Sequence, residues 1–243
     1  FGQDGPYASR PGYDLLFQAM AGVMSVTGEA DGAPGGGPQK VGIAVADMMT
    51  GMYAALAISA ALTHCERTGE GQHIDMALLD VATAIMANQA MNFLVSGKVP
   101  GMMGNAHPNL APYAVFDCAD GWIILATGND TQYQRLCEIL GLHDLTHAPQ
   151  FATNADRVAN RADLTQRLTA ATRGFAKADL LAACEAQGVP AGPINDLAET
   201  FADPQVVARQ MQIAPEGIRG VRSPFRFSGA DLALDRPAPK LGQ

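Results

Sequence analysis

Charged side chains are scarce in this sequence. Asp, Glu, Lys and Arg make up 16% of the 243 residues, acidic residues exceed basic ones by 24 to 16, and the formal net charge is −8. A surface that binds nucleic acid needs clustered positive charge, and no run of Lys or Arg occurs here. The composition therefore excludes nucleic acid as a partner. The 48% hydrophobic content excludes a disordered chain and predicts one or two folded domains.

Cysteine and histidine are few and widely spaced. The four cysteines form no CxxC pair, and the five histidines form no HExxH motif. A disulfide framework or a zinc site would need such spacings. The sequence therefore predicts no metal site, thiols that serve as small core residues, and a reducing, cytoplasmic location.

A leader segment is also lacking. The chain opens FGQDGPYASRPGYD, without Met and without a charged stretch followed by an apolar one, so we expect no signal peptide in this stretch. It closes with PAPKLGQ, a Pro-rich loop rather than a capped helix. We therefore expect the chain to be a fragment of a longer protein.

The longest apolar run, residues 41–64, contains one charged side chain, Asp47. The run predicts a long helix, and packing of that helix would leave the Asp47 carboxylate partly buried or lining a pocket. Three interpretations stay open for Asp47: a charge stabilised by the helix N-terminus, a polar residue in a membrane span, or a catalytic carboxylate. Gly42, Gly51 and the lack of aromatic or basic flanks argue against the span, so we expect no membrane partner.

Periodicity and turn residues divide the chain into four segments. Residues 1–95 carry the long helix, 96–112 form a Gly/Pro-rich linker, 113–203 form a small α+β domain, and 204–243 form a second linker. The alternation of helix and strand predicts an α/β or α+β architecture. The predicted helices are 13–24, 41–64, 78–94, 130–140, 154–172, 177–187 and 197–201. Asp130 or Thr131 is expected to cap the helix that ends near Leu140, and Asp196 the helix 197–201. The predicted strands are 73–77, 113–116, 122–127 and pieces of 221–227.

Eight short motifs occur in an order and spacing that resemble the family III CoA-transferases, the CaiB/BaiF family. They are GQDGPY (2–7), RPGYD (10–14), ADMMTGMYAAL (46–56), ERTGEGQHIDMALLD (66–80), GNAHPNLAPY (104–113), DGWI (120–123), TNADRVANR (153–161) and GVPAGPIND (188–196). They cover essentially the whole chain. The resemblance is greatest to members that act on dicarboxylic acids, such as succinyl-CoA with glutarate.

The resemblance implies a fold and an assembly. We expect the α/β family III fold, with part of a large Rossmann-like domain followed by a small α+β domain, and an interlocked homodimer of the intact protein. It also implies that an N-terminal nucleotide-binding portion and a C-terminal helix are missing. The fragment alone is therefore expected to be weakly active or inactive.

The resemblance also implies the chemistry. Asp47 occupies the position of the family's nucleophile, which forms a covalent aspartyl intermediate while CoA passes from an acyl-CoA thioester to a free carboxylic acid. The expected partners are an acyl-CoA and a small carboxylic acid of dicarboxylic or carnitine type. Coenzyme A thioester is a substrate, and no bound cofactor is expected.

Five further residues are candidates for binding the substrate or CoA. Arg10 is expected to meet a CoA phosphate or a substrate carboxylate, unless it is an ordinary surface Arg. Tyr13 is expected to contact the acyl group or to orient Asp47, unless it is a core Tyr. The remaining candidates are Gln3, in the opening loop, and Asn105 and His107, which would bind the distal part of the substrate unless they belong to an ordinary linker.

Two alternative functions are retained. The first is a 2-methylacyl-CoA racemase of the same superfamily. Such a racemase would also have Asp at the position of Asp47, but the resemblance gives it His-Asp where this chain has Tyr13 and Asp14. Tyr is a poor base near neutral pH, with a reference pKa of about 10. The other alternative is a non-catalytic oligomerisation module, in which Asp47 is only a charge at a helix start.

Overall fold

Helices and loops make up the chain up to residue 112. The computed structural model describes residues 1–30 and 32–242, and within the described residues this part contains five helices and no strand beyond an isolated bridge. The helices are α1 (Asp14–Met20), α2 (Val23–Val26), α3 (Val45–Thr68), α4 (Leu78–Ala84) and α5 (Ala87–Ser96).

Three local predictions for this part are corrected. The predicted helix 13–24 is two helices, because Gly22 adopts a left-handed conformation with φ of 90° between them. The predicted helix 78–94 is likewise α4 and α5, bent by 72° at a break where Ala87 has a φ of 42°. The predicted strand 73–77 is wrong: this stretch leads into α4 with no strand partner in the described residues, and alternating side chains alone cannot make a strand without one.

Helix α3 is the long helix that the sequence predicts. It runs for 24 residues to Thr68, and the next residue, Gly69, caps it: its left-handed φ of 75° lets its N–H bond to the Cys65 carbonyl at 2.8 Å. The expected packing of this helix, with a partly buried Asp47, is wrong for this chain, because Ala46 is the one buried residue of α3. Among the described elements, α1 and α4 are those that pack closely against it, which leaves Met52, Leu56 and the rest of its outer faces exposed.

Helix α3 is also long and apolar enough to cross a membrane, by length and composition alone. Its mean hydropathy reaches 1.5, and 6% of its most apolar stretch is buried. Helices α4 and α5 meet the same criterion only if the bent pair is taken as one span. A helix that is apolar on all faces is equally typical of the interior of a large protein, so this observation alone does not assign a membrane.

A small apolar cluster joins α1, α3 and α4. Phe17 of α1 is buried with Ala46 of α3 and Ala82 of α4, and the Phe1 ring meets the Phe17 ring edge-on at 4.8 Å. Gly12 lies so close that a Cβ there would be 2.4 Å from the Phe17 ring. The cluster therefore fixes the start of α1 against the start of α3.

The second part of the chain combines a sheet with a layer of helices. Strands β1 (Tyr113–Cys118), β2 (Gly121–Ala126) and β3 (Ala191–Pro193) form an antiparallel sheet in the order β1-β2-β3. The hairpin predicted around DCADG is confirmed, with Cys118 opposite Gly121. The helices are α6 (Asp130–Ile139), α7 (His143–Thr146), α8 (Asn154–Ala159), α9 (Arg161–Thr172), α10 (Lys177–Ala186), α11 (Leu197–Ala202) and α12 (Pro204–Ala208), with 3-10 turns at Pro149–Phe151 and Pro215–Gly217.

One face of this sheet forms the main core. Phe116, Ile123 and Leu125 point from the strands into a buried cluster that includes Leu136, Leu164, Leu168 and Leu180 from the helices. The alternating residues Trp122 and Ile124 point away from that cluster and are exposed. This alternation is what a sheet covered on one face requires.

One predicted helix cap in this part is confirmed, one cap is corrected, and one predicted helix is divided in two. Asp196 caps α11 in a capping box with Glu199, as predicted. Asn129, rather than Asp130, caps α6, because its extended backbone lets its side chain accept the Gln132 N–H. The predicted helix 154–172 is interrupted at Asn160 between α8 and α9.

The last part of the chain holds a short two-stranded sheet. Strand β4 (Gln212–Ile213) pairs antiparallel with β5 (Gly220–Val221). Of the predicted strand pieces in 221–227, Val221 alone lies in a strand among the described residues. The four predicted segment boundaries stay predictions.

Arg157 is a buried cation at the centre of the second part. Its guanidinium is 1% exposed and donates to the carbonyls of Ala111 at 2.8 Å and Phe151 at 3.1 Å. A third nitrogen donates to the Asp130 carboxylate at 2.6 Å. The Tyr133 ring lies 4.4 Å from the guanidinium carbon. Arg157 therefore joins the end of the 97–112 segment, which connects α5 to β1, to α6 and α8.

We expect Arg157→Ala to lower the free energy of unfolding by about 3 kcal/mol, because two buried carbonyls and a carboxylate lose their donor. The urea-unfolding midpoint of the protein, followed by circular dichroism, measures the change. Arg167→Ala is the matched control: Arg167 is exposed and pairs with Asp163 one turn away, so its loss should be undetectable. Equal midpoints for the two variants would contradict this account.

Three of the four cysteines are buried free thiols of the main core, as predicted, whereas Cys65 on α3 is only partly buried. Burial raises the pKa of the Cys118 and Cys137 thiols and raises that of Cys184 to about 11. A raised pKa means that the folded state binds the proton more tightly than the unfolded chain does. This contribution to stability is complete below the ordinary thiol pKa and is lost as the pH rises toward 11.

We expect Cys184 to resist alkylation in the folded protein. About 0.1% of a thiol with a pKa near 11 is ionised at pH 8, and only the thiolate reacts. Iodoacetamide labelling read out by peptide mass spectrometry should leave Cys118, Cys137 and Cys184 unmodified at pH 8, whereas the urea-unfolded protein should label at all four cysteines. The same Cys184 labelling rate with and without urea would refute the prediction.

Candidate active site at the start of helix α3

Asp47 is the third residue of α3, and its carboxylate is exposed. No hydrogen bond or ion pair from residues 1–30 or 32–242 reaches that carboxylate. An acidic residue at this helix position often bonds back to the residue that caps the helix, and here it does not. The Asp47 carboxylate is therefore exposed and without a bonding partner among the described residues.

Asp14 of α1 supplies the cap that α3 lacks. The residue before α3 is Ala44, whose side chain makes no capping bond. One oxygen of the Asp14 carboxylate accepts from the N–H groups of Ala46 at 2.8 Å and Asp47 at 3.3 Å. The first free N–H groups of a helix need such an acceptor, and it comes here from 32 residues earlier in the chain.

Gln18, one turn after Asp14, extends this contact. Its side chain is completely buried, donates to the other Asp14 oxygen at 2.6 Å and accepts from the Val41 N–H at 2.9 Å. Its nitrogen also lies 3.3 Å from the Ile43 carbonyl. Sequence reasoning missed Asp14 and Gln18, because a cap supplied from another helix leaves no local spacing signal; the only hint is a polar residue at 18 among apolar neighbours.

Tyr13 directly precedes Asp14, so the structure places it at the same end of α3 as Asp47. Its side chain is 86% exposed, so the alternative of a core Tyr is wrong for this chain. Tyr13 lines an open, apolar groove of about 510 Å³ with Leu15 and Leu16 of α1. The groove belongs to the side of α1 that carries Tyr13, Leu15 and Leu16, whereas Asp14 bonds to the start of α3 from α1.

Gln3 and Arg10 lie in the opening loop, ahead of α1. The Arg10 guanidinium carbon stands 3.9 Å over the Tyr7 ring, and both Gln3 and Arg10 are exposed. A guanidinium stacked on an aromatic face keeps its N–H edge available for an anion. The predicted role of Arg10 in binding a phosphate or a carboxylate stays a prediction.

His107 has a defined tautomer. Its Nδ1 accepts the Asn109 N–H at 3.1 Å, and its ring lies 5.0 Å from the Tyr113 ring. Because Nδ1 is an acceptor, the proton of the neutral ring is on Nε2, so His107 presents a donor. Asn105 lies two residues earlier and lines a separate polar cleft of about 360 Å³ with Glu29 and Gln39.

Arg161 anchors the loop that carries His107. Its guanidinium donates to the carbonyls of His107 at 2.6 Å, Pro108 at 3.0 Å and Leu110 at 3.1 Å. Burial lowers the pKa of Arg161, and these carbonyls take three of its five N–H donors. Arg161 is therefore a structural residue rather than a substrate ligand.

The opposite side of this loop is anchored to α5. Asn92 and Asn109 exchange hydrogen bonds through their side-chain amides at 3.1 and 3.2 Å, and Asn154 donates to the Asn109 carbonyl at 2.8 Å. The loop is thus connected to α5 on one side and to α8 and α9 on the other. His107 is consequently placed by a rigid frame.

The sequence-predicted residues fall into two groups. In the first group, the Asp47 N–H donates to Asp14, the residue next to Tyr13. Arg10 lies three residues before Tyr13. Asn105 and His107 lie on the 97–112 segment, and no hydrogen bond within the described part of the chain connects them to Asp47. No group of three His, Cys, Asp or Glu side chains suited to a metal ion occurs among residues 1–30 and 32–242.

An exposed carboxylate without a bonding partner at a helix start is suited to covalent group transfer, in which the carboxylate attacks an activated carbonyl. The comparisons identify the family. The model of CoA-transferase family III matches residues 1–243, and the chain belongs to that family. The predicted family resemblance is confirmed.

Curated relatives carry CoA-transferase names. The chain is 53% identical over 248 residues to a succinate–glutarate CoA-transferase from Agrobacterium fabrum, covering 100% of the chain and 61% of the relative. It is 38% identical to an acetyl-CoA:oxalate CoA-transferase from Acetobacter aceti, covering 100% of the chain and 62% of the relative. It is 36% identical to the human succinyl-CoA:glutarate CoA-transferase, covering 100% and 56%. The chain thus spans about three fifths of the length of these relatives.

Solved structures show the same fold. A CaiB/BaiF family protein from Brucella suis matches with a TM-score of 0.83 and 53% identity, over 99% of this chain and 62% of that one. A protein from Mycobacterium tuberculosis matches with a TM-score of 0.82 and 28% identity, over 96% and 61%. The predicted fold class, mixed helix and sheet of the family III type, is confirmed. A Rossmann-like sheet is not found in residues 1–30 and 32–112, where the described elements are helices joined by loops.

Proposed function

We propose that the full-length protein transfers CoA from an acyl-CoA thioester to a free carboxylic acid, with Asp47 as the nucleophile. The observation that carries the proposal is the uncommitted Asp47 carboxylate at the start of α3, where Asp14 has already satisfied the helix N–H groups. The transferase names of the curated relatives support the same reaction. They also favour an enzyme over a non-catalytic module.

The proposed reaction has four balanced steps. The Asp47 carboxylate attacks the thioester carbonyl, which releases CoA thiolate and leaves a mixed anhydride. The thiolate attacks the Asp47 carbonyl of the anhydride, which releases the first acid and leaves an aspartyl-CoA thioester. The second acid attacks this thioester, which releases CoA thiolate and leaves a second mixed anhydride. The thiolate then attacks the acyl carbonyl of that anhydride, which gives the new acyl-CoA and free Asp47. Bonds of similar energy are exchanged, so the cycle needs no nucleotide hydrolysis.

The anhydride must be kept from water. In this chain Asp47 and the outer faces of α3 are exposed, so the proposal requires that these faces be covered in the whole protein. A homodimer, with each site completed by both chains, is part of the proposal, as is a cytoplasmic location. Racemisation is not proposed, because it needs a second base opposite Asp47, and Tyr13 has no imidazole.

We infer that the acids are small dicarboxylates. The names of the curated relatives include succinate, glutarate and oxalate. A second carboxylate on the substrate needs a hydrogen-bond donor away from the reacting end, and His107 presents Nε2–H from an anchored loop. Asn105 would bind the distal part of the same acid. Gln3 and Arg10 would bind CoA or the acid at the opposite end.

The nucleophile can be trapped directly. We expect the full-length protein incubated with succinyl-CoA to carry an adduct on the peptide that contains Asp47, detected after hydroxylamine or borohydride trapping by mass spectrometry. Asp47→Ala and Asp47→Asn should give no adduct there and lower kcat by at least about 10³-fold, because the covalent route is removed.

Asp80→Asn is the matched control for this experiment. Asp80 is also an exposed acid in the first turn of a helix, α4, and its replacement should leave the adduct and kcat unchanged. Wild-type protein that turns over without any adduct on the Asp47 peptide would disprove the covalent route. Solvent deuterium entering the α-carbon of a 2-methylacyl-CoA would favour the racemase instead.

His107 should affect the choice of acid. We expect His107→Asn to raise the KM for glutarate about tenfold while the KM for a monocarboxylic acid of similar length changes little, because one hydrogen bond to a charged group contributes roughly 1.5 to 3 kcal/mol. His107→Gln, whose amide can place a donor near the Nε2 position, should recover part of this loss. His143→Ala, at the exposed start of α7, is the control. Equal effects on both acids would show that His107 is only structural.

A further inference from the structure

The start of α3 depends on side chains of α1. This inference rests on the proposed function, since it concerns how Asp47 is placed. The N–H of Val45 bonds within the preceding turn, to the Ile43 carbonyl at 2.9 Å. The next two N–H groups, of Ala46 and of Asp47 itself, bond to one oxygen of the Asp14 carboxylate. The main chain of the nucleophile is therefore bonded directly to Asp14.

The buried Gln18 makes this attachment rigid. It holds the second Asp14 oxygen at 2.6 Å and binds the Val41 N–H at 2.9 Å, so its amide lies between α1 and the approach to α3. Val41, Ile43, Ala46 and Asp47 are all contacted by this pair of side chains. The pair itself rests on the apolar cluster around Phe17, which fixes the path of α1.

The consequence concerns the Asp47 side chain. An Asp at the third helical position that must cap its own helix would have its carboxylate bonded to backbone N–H groups. Here the capping bonds are made by a different residue, and the Asp47 carboxylate keeps its lone pairs for the substrate. The bond from Asp14 to the Asp47 N–H also fixes the backbone from which that carboxylate extends.

We propose that Asp14 and Gln18 are positioning residues that hold Asp47 in its reactive geometry while leaving its carboxylate unbonded. A reacting group must be held within about 0.5 Å of its productive position, and a displacement of about 1 Å costs on the order of 10²-fold in rate. Loss of the pair should therefore slow formation of the covalent adduct without weakening acyl-CoA binding to the same degree.

The test uses the full-length protein and its Asp14→Ala, Asp14→Asn and Gln18→Met variants. The readouts are kcat, the KM for succinyl-CoA, and the rate at which the Asp47 peptide acquires the trapped adduct, each per folded enzyme. We expect Asp14→Ala to slow adduct formation and kcat by about 10- to 100-fold, with KM changed by less than about threefold. Asp14→Asn keeps one oxygen that can accept from Ala46 and Asp47, so it should recover at least part of the rate.

Gln18→Met keeps the Asp14 cap and a buried side chain of similar size but removes the bonds to Asp14 and Val41. We expect it to slow adduct formation by about 3- to 10-fold. If Asp14→Ala does not accumulate as folded protein, Gln18→Met alone tests the positioning role. Asp80→Asn, the acid at the start of α4, is the control that should match wild type in every readout.

The outcomes separate this inference from the proposed function. An adduct on Asp47 that forms at wild-type rate in folded Asp14→Ala or in Gln18→Met overturns the positioning role and leaves the transferase proposal standing. The positioning role is also overturned if Asp14→Ala raises KM in proportion to its loss of kcat/KM, because the pair would then serve binding alone. Wild-type enzyme that forms no Asp47 adduct overturns the proposed function, and this inference with it.

Discussion

The hydrogen bonds from Asp14 to the start of α3 are the contact on which the candidate site depends. Helix N-termini present N–H groups that must be paired, and α3 begins after an Ala that has no side-chain acceptor. The acceptor comes from α1, which is itself held by the apolar cluster around Phe17. The first turn of α1 therefore stabilises the first turn of α3, in which Asp47 lies.

Features set by neighbouring residues were predictable from the sequence. The DCADG turn predicted the β1–β2 hairpin, Asp196 predicted the cap of α11, and the apolar run predicted α3. Each depends on residues a few positions apart, so propensity and spacing were sufficient. Errors at this scale are small, such as Asn129 rather than Asp130 at the start of α6, because two adjacent residues were both chemically able to cap.

Features set by distant residues were not predictable. Asp14 and Ala46 are 32 positions apart, and Arg157 and Ala111 are 46 apart, so no local pattern pairs them. The predicted strand 73–77 failed for the same reason: alternation describes a strand only where another strand supplies hydrogen bonds. Burial of Asp47 was expected from an apolar helix, yet an apolar face is buried only where another element covers it, and α1 and α4 cover α3 on part of its surface.

The two groups of candidate residues are anchored independently, and this separation bears on how such a site would vary. Asp47 is fixed through Asp14 and Gln18 on α1, whereas the loop carrying His107 is fixed by Arg161 and by the Asn92–Asn109 pair. The proposed chemistry requires only the first group, since attack on a thioester is the same for every acid. Discrimination between acids is a difference in binding free energy at the distal end, which is where the second group would act. Substitutions in residues 104–110 could therefore change the acid without moving the nucleophile, so relatives named for glutarate and for oxalate can share one family fold.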